Sequence, residues 1–229
     1  AAADDDEFNF EDPPKAPKRL PQKSNTAKVI LPIEHVNAIY WACKSAKWPR
    51  YTVNGAPLAA EPSDYWRALV VLLFNYGPRL QDIVAYQCGK QPIEWAGTDS
   101  GAVFDRESPA SDATSKHGWL WFTPTKTQAI KGQPLVLPMP SVVRAHLAVI
   151  RGEGEGLVFP FPRDQKSFQD TRREIFKAAG VKPKAALCKG REIYLPKDFR
   201  KTCLTYHQRQ CRGIGPFITG HAERNSDRV

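Results

Sequence analysis

One segment of the chain, residues 66–74, is apolar almost throughout, and this restricts the folds that the chain can adopt. The run Trp66-Arg-Ala-Leu-Val-Val-Leu-Leu-Phe74 is long enough for a helix and has too little polar surface for a helix that faces water on one side. Ser63 is placed to cap its start, and Gly77-Pro78 ends it. The segment predicts a core helix that other elements must surround.

The remaining patterns predict more helices and one small sheet. A helix is predicted over Ile33–Lys47, after Pro32, and a short one over Leu80–Tyr86. Two apolar runs that flank a polar connection, Trp119–Phe122 and Pro134–Pro138, are typical of the arms of a β-hairpin. Further helices are predicted over Ser141–Ile150, over Ser167–Ala179 with Ser167 and Asp170 as a capping box, over Asp198–Gln210 and over Ile214–Gly220. The predicted fold class is α+β, mainly α-helical with a small antiparallel sheet.

The chain divides into a tail and one domain. Residues 1–30 contain four scattered prolines and an acidic block followed by a basic block, which is typical of a linker or disordered tail. Residues 31–229 are long enough to bury a full core, so a single domain is predicted there.

The charge distribution favours a polyanionic partner. All six acidic residues of the first dozen positions precede the first lysine, which leaves residues 13–229 with 33 basic and 18 acidic side chains, a net charge of +15. A domain with this surplus gains free energy from releasing the counterions of nucleic acid, although a basic surface that only keeps the protein in solution remains the alternative.

The cysteines and the hydropathy restrict the cellular compartment in which the protein is expected. Five cysteines, an odd number without a C-x-x-C pair, indicate reduced thiols, and no metal-ligand spacing is present. No run approaches the length of a membrane helix. The chain is therefore expected to be a cytoplasmic protein without a membrane span.

A pattern of cations suits chemistry on a phosphodiester. Arg79 follows Gly77-Pro78, and Asp82, three residues later, is placed to orient its guanidinium. Arg200 is expected to open a helix, whose N-terminal dipole also favours phosphate. Arginine matches phosphate because its planar fork donates two parallel hydrogen bonds and keeps its proton.

In this order the residues resemble the catalytic domain of the tyrosine recombinases, the phage-integrase family. The resemblance covers about residues 31–229. It is carried by Tyr76-Gly-Pro-Arg79-Leu-Gln-Asp82, Thr125-Lys126-Thr127, Leu157-Val-Phe-Pro160, Lys197-Asp-Phe-Arg200 and Thr219-Gly-His221.

The resemblance implies a transesterification in which a tyrosine attacks the scissile phosphate, giving a 3′-phosphotyrosyl link and a free 5′-hydroxyl, with neither ATP nor metal as cofactor. Arg79, Arg200 and His221 would hold the phosphate, and Lys126 would protonate the departing 5′-oxygen. The partner would be double-stranded DNA, bound by a homo-tetramer. Lys131, Lys201 and Arg224 would contact DNA.

Two assignments stay open. Lys197 occupies the position where the family more often has histidine, and it is either a base, if its pKa is lowered, or a third phosphate contact. Lys131 is the rival of Lys126 for the general acid, and the Thr-Lys-Thr context favours Lys126.

The expected nucleophile is not in the sequence. The family's tyrosine follows the Gly-His box by roughly ten residues, and only eight residues follow His221. Tyr194 and Tyr206 do not match the family position, and Tyr206 is expected in the core. The chain is therefore expected to bind DNA weakly and not to cleave it unaided.

Three other functions use the same features. A non-catalytic DNA-binding relative would keep the basic surface, while a type IB topoisomerase or a telomere resolvase would share the arginine, lysine and histidine chemistry. An RNA-binding module would stack bases on Trp119, Trp121 and Phe122, which at strand spacing are more often core residues.

Overall fold

The computed structural model describes residues 29–84, 92–97, 100–105, 107–108, 113–122, 134–183 and 193–210. The helices are α1 (Ile33–Ala42) with a 3₁₀ turn after it (Cys43–Ser45), α2 (Pro62–Tyr76), α3 (Leu80–Ile83), α4 (Ser141–Ile150), α5 (Gln165–Ala178) and α6 (Pro196–Gln210). The strands are β1 (Glu94–Trp95), β2 (Gly101–Val103), β3 (Trp119–Phe122) and β4 (Leu135–Pro138). The predicted α+β class with a small sheet is confirmed, but the sheet is mixed and not purely antiparallel as predicted, because β1 pairs with β2 in parallel.

Helix α2 is the centre of the core, as its composition predicts. Residues 68–73 are all buried, and because six consecutive residues cover more than one helical turn, this stretch has no solvent face. Helices α1, α4 and α6 pack around it. The predicted Ser63 cap is wrong, since the helix begins one residue earlier at Pro62, whose fixed φ suits a first helical position.

The sheet has the order β1-β2-β3-β4, with β1 parallel to β2 and the other pairs antiparallel. The predicted hairpin arms pair as β3 and β4, with Trp119 opposite Pro138 and Phe122 opposite Leu135. All four residues of β3 are buried. The aromatic side chains of β3 therefore belong to the core and have no exposed faces on which bases could stack.

The other described helices differ from the predictions mainly at their ends. Helix α4 has the predicted bounds, while α1 passes into the 3₁₀ turn that ends at Ser45. Helix α3 ends at Ile83 because Val84 is extended, so the predicted continuation is wrong at Val84, and Tyr86 lies outside the described residues. The predicted helix over Ile214–Gly220 also lies outside them. No helix in the described part of the chain is long and apolar enough to cross a membrane.

The start of α5 corrects a predicted cap. The helix begins at Gln165, and the side chain of Asp164 accepts a hydrogen bond from the backbone N–H of Ser167 at 3.0 Å. The predicted capping box of Ser167 and Asp170 is therefore wrong, and Asp170 forms an ion pair with Arg173 instead. Asp164 fits the position because its short carboxylate satisfies a helix N–H group that has no partner within the helix.

Replacing Asp164 by alanine is expected to lower the melting temperature by a few degrees at neutral pH. Hydrogen bonds from the Ser167 hydroxyl and backbone N–H lower the pKa of the Asp164 carboxyl. A carboxyl whose pKa is lowered by folding contributes stability above its unfolded pKa, and the contribution is lost as the pH falls through the folded value. Melting curves at about pH 7 and about pH 3 should show the gap to wild type narrowing in acid.

The matched control is Asp170→Ala, which removes only an exposed ion pair and should cost less at neutral pH. A gap that is equal at both pH values, or a larger cost for Asp170→Ala, would contradict the cap at Asp164.

Candidate functional site

Helix α6 lies directly against the end of α2, and a glycine makes this contact possible. Gly77 follows α2 with φ +55°, and its N–H donates to the carbonyl oxygen of Leu73 at 3.0 Å. A Cβ atom on Gly77 would lie 3.1 Å from both the Cα of Arg200 and the Cβ of Cys203. Glycine therefore serves two purposes here, since it accepts the left-handed conformation and leaves room for α6.

Side chains of α6 bind carbonyl groups at the C-terminal end of α2. The Nη1 of Arg200 donates to the Gly77 oxygen at 2.6 Å, and the Nε2 of His207 donates to the Asn75 oxygen at 2.9 Å. The thiol of Cys203 also donates to Asn75, at 3.4 Å. Spacings of three and four residues place these donors on one face of α6, and a cation at a helix C-terminus is favourable.

Arg79 lies two residues after Gly77, in an extended conformation immediately before α3. Its Nη1 is 3.9 Å from the Oδ2 of Asp82, so this carboxylate is close enough to orient the guanidinium. The Asp82 side chain is fully buried, whereas 22% of the Arg79 side chain is exposed. Arg79 therefore lies beside a buried carboxylate, and part of its side chain is exposed to solvent.

The two arginines are close enough to affect each other. Arg200 is only 9% exposed. Burial, and then the positive charge of Arg79, lower the pKa of Arg200 to about 10, while Asp82 and Cys203 act in the opposite direction. Arg200 therefore keeps its charge near neutral pH, and the junction of α2 and α6 brings it close enough to Arg79 for the two positive charges to interact, an arrangement that an anion would relieve.

Lys197 and Lys201 flank Arg200 on α6 but differ from it in burial. Lys197, in the first turn, is exposed, and Lys201 is half-buried. The exposed position of Lys197 suits a contact with a phosphate group.

The position of Arg200 within α6 corrects a prediction. The helix begins at Pro196, and the Asp198 carboxylate accepts a hydrogen bond from the Leu195 N–H at 2.8 Å. Arg200 therefore lies in the second turn and does not open the helix, so the argument from the N-terminal dipole does not apply to it. Its place in the site comes from the contact with α2.

Four predicted site residues lie outside the described part of the chain, and their assignments stay predictions. They are Lys126, Lys131, His221 and Arg224.

His207 and the contact made by Cys203 are parts of the site that sequence reasoning missed. Their spacing from Arg200 was the available signal, because three donors at positions 200, 203 and 207 share one helix face. Tyr206 was predicted in the core and is 44% exposed, with its ring against Phe74. That prediction is wrong because Tyr206 lies to the side of the buried face of α6, and Phe74 covers only part of the Tyr206 ring.

The described residues offer no site for a metal. No group of three or more histidine, cysteine, aspartate or glutamate side chains within the described ranges is arranged to bind one. Cys43 and Cys203 are free and buried, and burial raises the pKa of each thiol to about 12. These two thiols are neutral near pH 7 and are poor nucleophiles.

Comparison with known proteins gives no relative, because the chain matches no protein-family model, no curated protein and no solved structure.

Proposed function

We propose that this chain is the catalytic domain of a site-specific DNA recombinase of the tyrosine recombinase kind, which cuts and rejoins DNA strands by transesterification. The observation that carries the proposal is the placement of Arg79 and Arg200 together at the end of α2, although 121 positions separate them in the sequence. Two fixed guanidinium groups are suited to the charge that gathers on the non-bridging oxygens of a phosphodiester under attack.

The proposed reaction conserves the number of phosphodiester bonds. A tyrosine C-terminal to His221 attacks the phosphorus and gives up its phenolic proton to solvent, its oxygen forms the new P–O bond, and the bond from phosphorus to the 5′-oxygen breaks. Arg79, Arg200 and His221 stabilise the phosphoryl oxygens, and Lys126 supplies the proton that the departing 5′-oxygen takes up. The 3′-phosphotyrosyl link keeps the bond energy, so rejoining needs only the reverse attack by a 5′-hydroxyl.

The remaining residues have supporting roles in the proposal. Asp82 orients Arg79, Lys197 contacts the phosphate, and Lys131, Lys201 and Arg224 contact the DNA backbone. The net charge of +15 over residues 13–229 supports a double-stranded DNA partner, and a tetramer on DNA, in the cytoplasm of the cell, is the proposed assembly.

The test uses the chain lengthened at its C-terminus to the first tyrosine, incubated with nicked duplexes of candidate sites. A protein–DNA band that survives denaturation is expected, and it should disappear in Arg79→Ala, in Arg200→Ala and when that tyrosine is changed to phenylalanine. DNA binding on native gels without a covalent band would favour a non-catalytic DNA-binding protein. Absence of both would remove the basis of the proposal.

A second assay separates the recombinase from the enzymes that share its chemistry. Exchange of strands between two labelled duplexes is expected from a recombinase. Relaxation of supercoiled plasmid without exchange would instead indicate a type IB topoisomerase, and closure of duplex ends into hairpins would indicate a telomere resolvase.

A further inference from the structure

Helix α4 is apolar on the side that faces water as well as on the side that faces the core. Its core side is buried, as in any amphipathic helix. The opposite side carries exposed apolar side chains at Val142, Ala145, Ala148 and Val149. A helix surface in contact with water normally carries charged or polar residues. The exposed side of α4 is therefore suited to contact with another apolar surface.

The polar groups of α4 have partners within the chain. The Nδ1 of His146 is 2.7 Å from the Val142 oxygen, and because a carbonyl oxygen can only accept, this nitrogen carries a proton. In the neutral ring, Nε2 then accepts from the Tyr40 hydroxyl at 2.8 Å. Arg144, the one charged residue of α4, donates to the Phe104 oxygen at 2.9 Å. This surface consequently offers few hydrogen-bonding groups to a polar partner.

Trp41 on α1 extends the apolar surface of α4. The ring of Tyr40 lies 5.4 Å from the ring of His146 and 5.2 Å from the ring of Trp41, between centroids, so Trp41 adjoins α4. The Trp41 residue is 64% exposed. We call the surface formed by the following residues the α1–α4 face: Trp41, Val142, Ala145, Ala148 and Val149.

The size of the α1–α4 face indicates the strength of contact that it can support. The exposed parts of Trp41, Val142 and Val149 together amount to roughly 300 Å². Apolar patches of about this size are the largest on many monomeric proteins and often bind something. A stable dimer, however, buries about 800 Å² on each partner. The face can therefore support a weak, reversible contact and not a permanent one.

The charge of the chain indicates what kind of partner fits the face. Nucleic acid or an acidic protein would be bound through lysine or arginine, and none of the five residues of the face is charged. Lys44, one turn after Trp41, is exposed at the rim, where a charge can stay in water. Two copies of a chain with a net charge of +15 over residues 13–229 repel each other, and an uncharged face is where this repulsion opposes contact least.

The shape of the face suits a second copy of itself. A contact about a two-fold axis uses the same surface on both copies, so that surface must contain both a projection and a place to receive it. Trp41 is the projection, and the small side chains of Ala145 and Ala148 leave space on the neighbouring helix. A two-fold axis between them would place Trp41 of each copy on the alanines of the other.

We propose that two copies of this chain associate weakly through their α1–α4 faces, about a two-fold axis. The contact would supply an interface for the assembly in the proposed function. The inference does not rest on that function, because the association needs no DNA and involves no residue of the candidate site.

The test is sedimentation velocity of the full chain, freed of nucleic acid by nuclease, from about 10 µM to about 1 mM. The weight-average mass is expected to rise towards that of a dimer. The association should strengthen when salt is raised from about 0.1 M to about 0.5 M, because screening reduces the repulsion between the two copies. Association bridged by residual nucleic acid would weaken instead.

Two substitutions on the face have matched controls elsewhere. Trp41→Ala removes the projection and Ala145→Lys places a charge on the face, and each should lower the association constant by about tenfold or more. Tyr51→Ala removes another exposed aromatic side chain, and Ala178→Lys adds the same charge at an exposed alanine of α5. Both controls should leave the association constant within about twofold of wild type.

The four variants alter exposed side chains, so they are expected to keep the fold, and circular dichroism checks this. A wild-type chain that stays monomeric at about 1 mM and at both salt concentrations would overturn the proposal. So would association that is unchanged in both face variants, that falls equally in the controls, or that weakens as salt is raised.

Discussion

Replacing Gly77 by alanine is expected to destabilise the fold by about 2–4 kcal/mol, with one part from backbone strain and the other from overpacking. The left-handed φ of +55° is unfavourable for any residue with a Cβ. The new methyl group would also press on Arg200 and Cys203, whose nearest atoms lie at 3.1 Å and include backbone that cannot rotate away. Chemical denaturation followed by tryptophan fluorescence measures the change in the free energy of unfolding.

Gly180 is a matched control for this prediction. It follows α5 with φ +65°, and nothing lies within 4 Å of a Cβ built on it. Gly180→Ala therefore carries only the backbone strain, about 1 kcal/mol. Equal costs at the two glycines would contradict the close approach of α6 to α2.

Replacing Arg200 by lysine is expected to reduce the yield of covalent protein–DNA product by about a hundredfold or more, in the lengthened chain described above. Lysine keeps one positive charge but has no planar fork. It cannot both donate to the Gly77 oxygen and meet a phosphoryl oxygen in the geometry that arginine provides. The loss should appear in the rate of covalent attachment at saturating DNA more than in DNA affinity, since the arginine acts on charge that develops during the reaction.

Lys201→Ala is the control for this substitution, because it removes a cation from the adjacent position, which is only half-buried. It should weaken DNA binding slightly and leave the rate of attachment at saturating DNA nearly unchanged. A similar rate loss in both variants, or full activity in Arg200→Lys, would argue that Arg200 does not contact the reacting phosphate.

The sequence predicted the helical core well because local patterns determine it. The apolar run that became α2 admits only a buried helix, and Gly77-Pro78 is a strong stop. The β3–β4 pairing was also predictable, since two apolar runs of strand length flank a polar connection.

Helix starts were harder to predict because several residues near each start can cap a helix. At α2 the sequence favours Ser63 as the cap, although Pro62 begins the helix, and at α5 it favours Ser167, although Asp164 provides the carboxylate. Such choices depend on backbone angles of single residues, and sequence spacing does not determine these angles.

The contacts that build the candidate site were the least predictable from the residues alone. The prediction that Arg79 and Arg200 share a site came from the resemblance to a family and not from their separation in the sequence. Nothing in the local pattern shows that Arg200 donates to the Gly77 carbonyl, or that His207 and Cys203 bind Asn75. These bonds depend on how α6 packs on α2, which is a property of the whole fold.

The bond from Arg200 to Gly77 joins residues 123 positions apart, and this separation has a consequence for how the protein is made. Contacts so distant in sequence form late, because the chain between them must first be ordered. During synthesis, Gly77 and Arg79 leave the ribosome long before Arg200 does, so a nascent chain carries the first arginine without its companion. The two cations therefore come together only when α6 docks on α2. Until then, a growing chain does not present the pair to the ribosomal RNA around it.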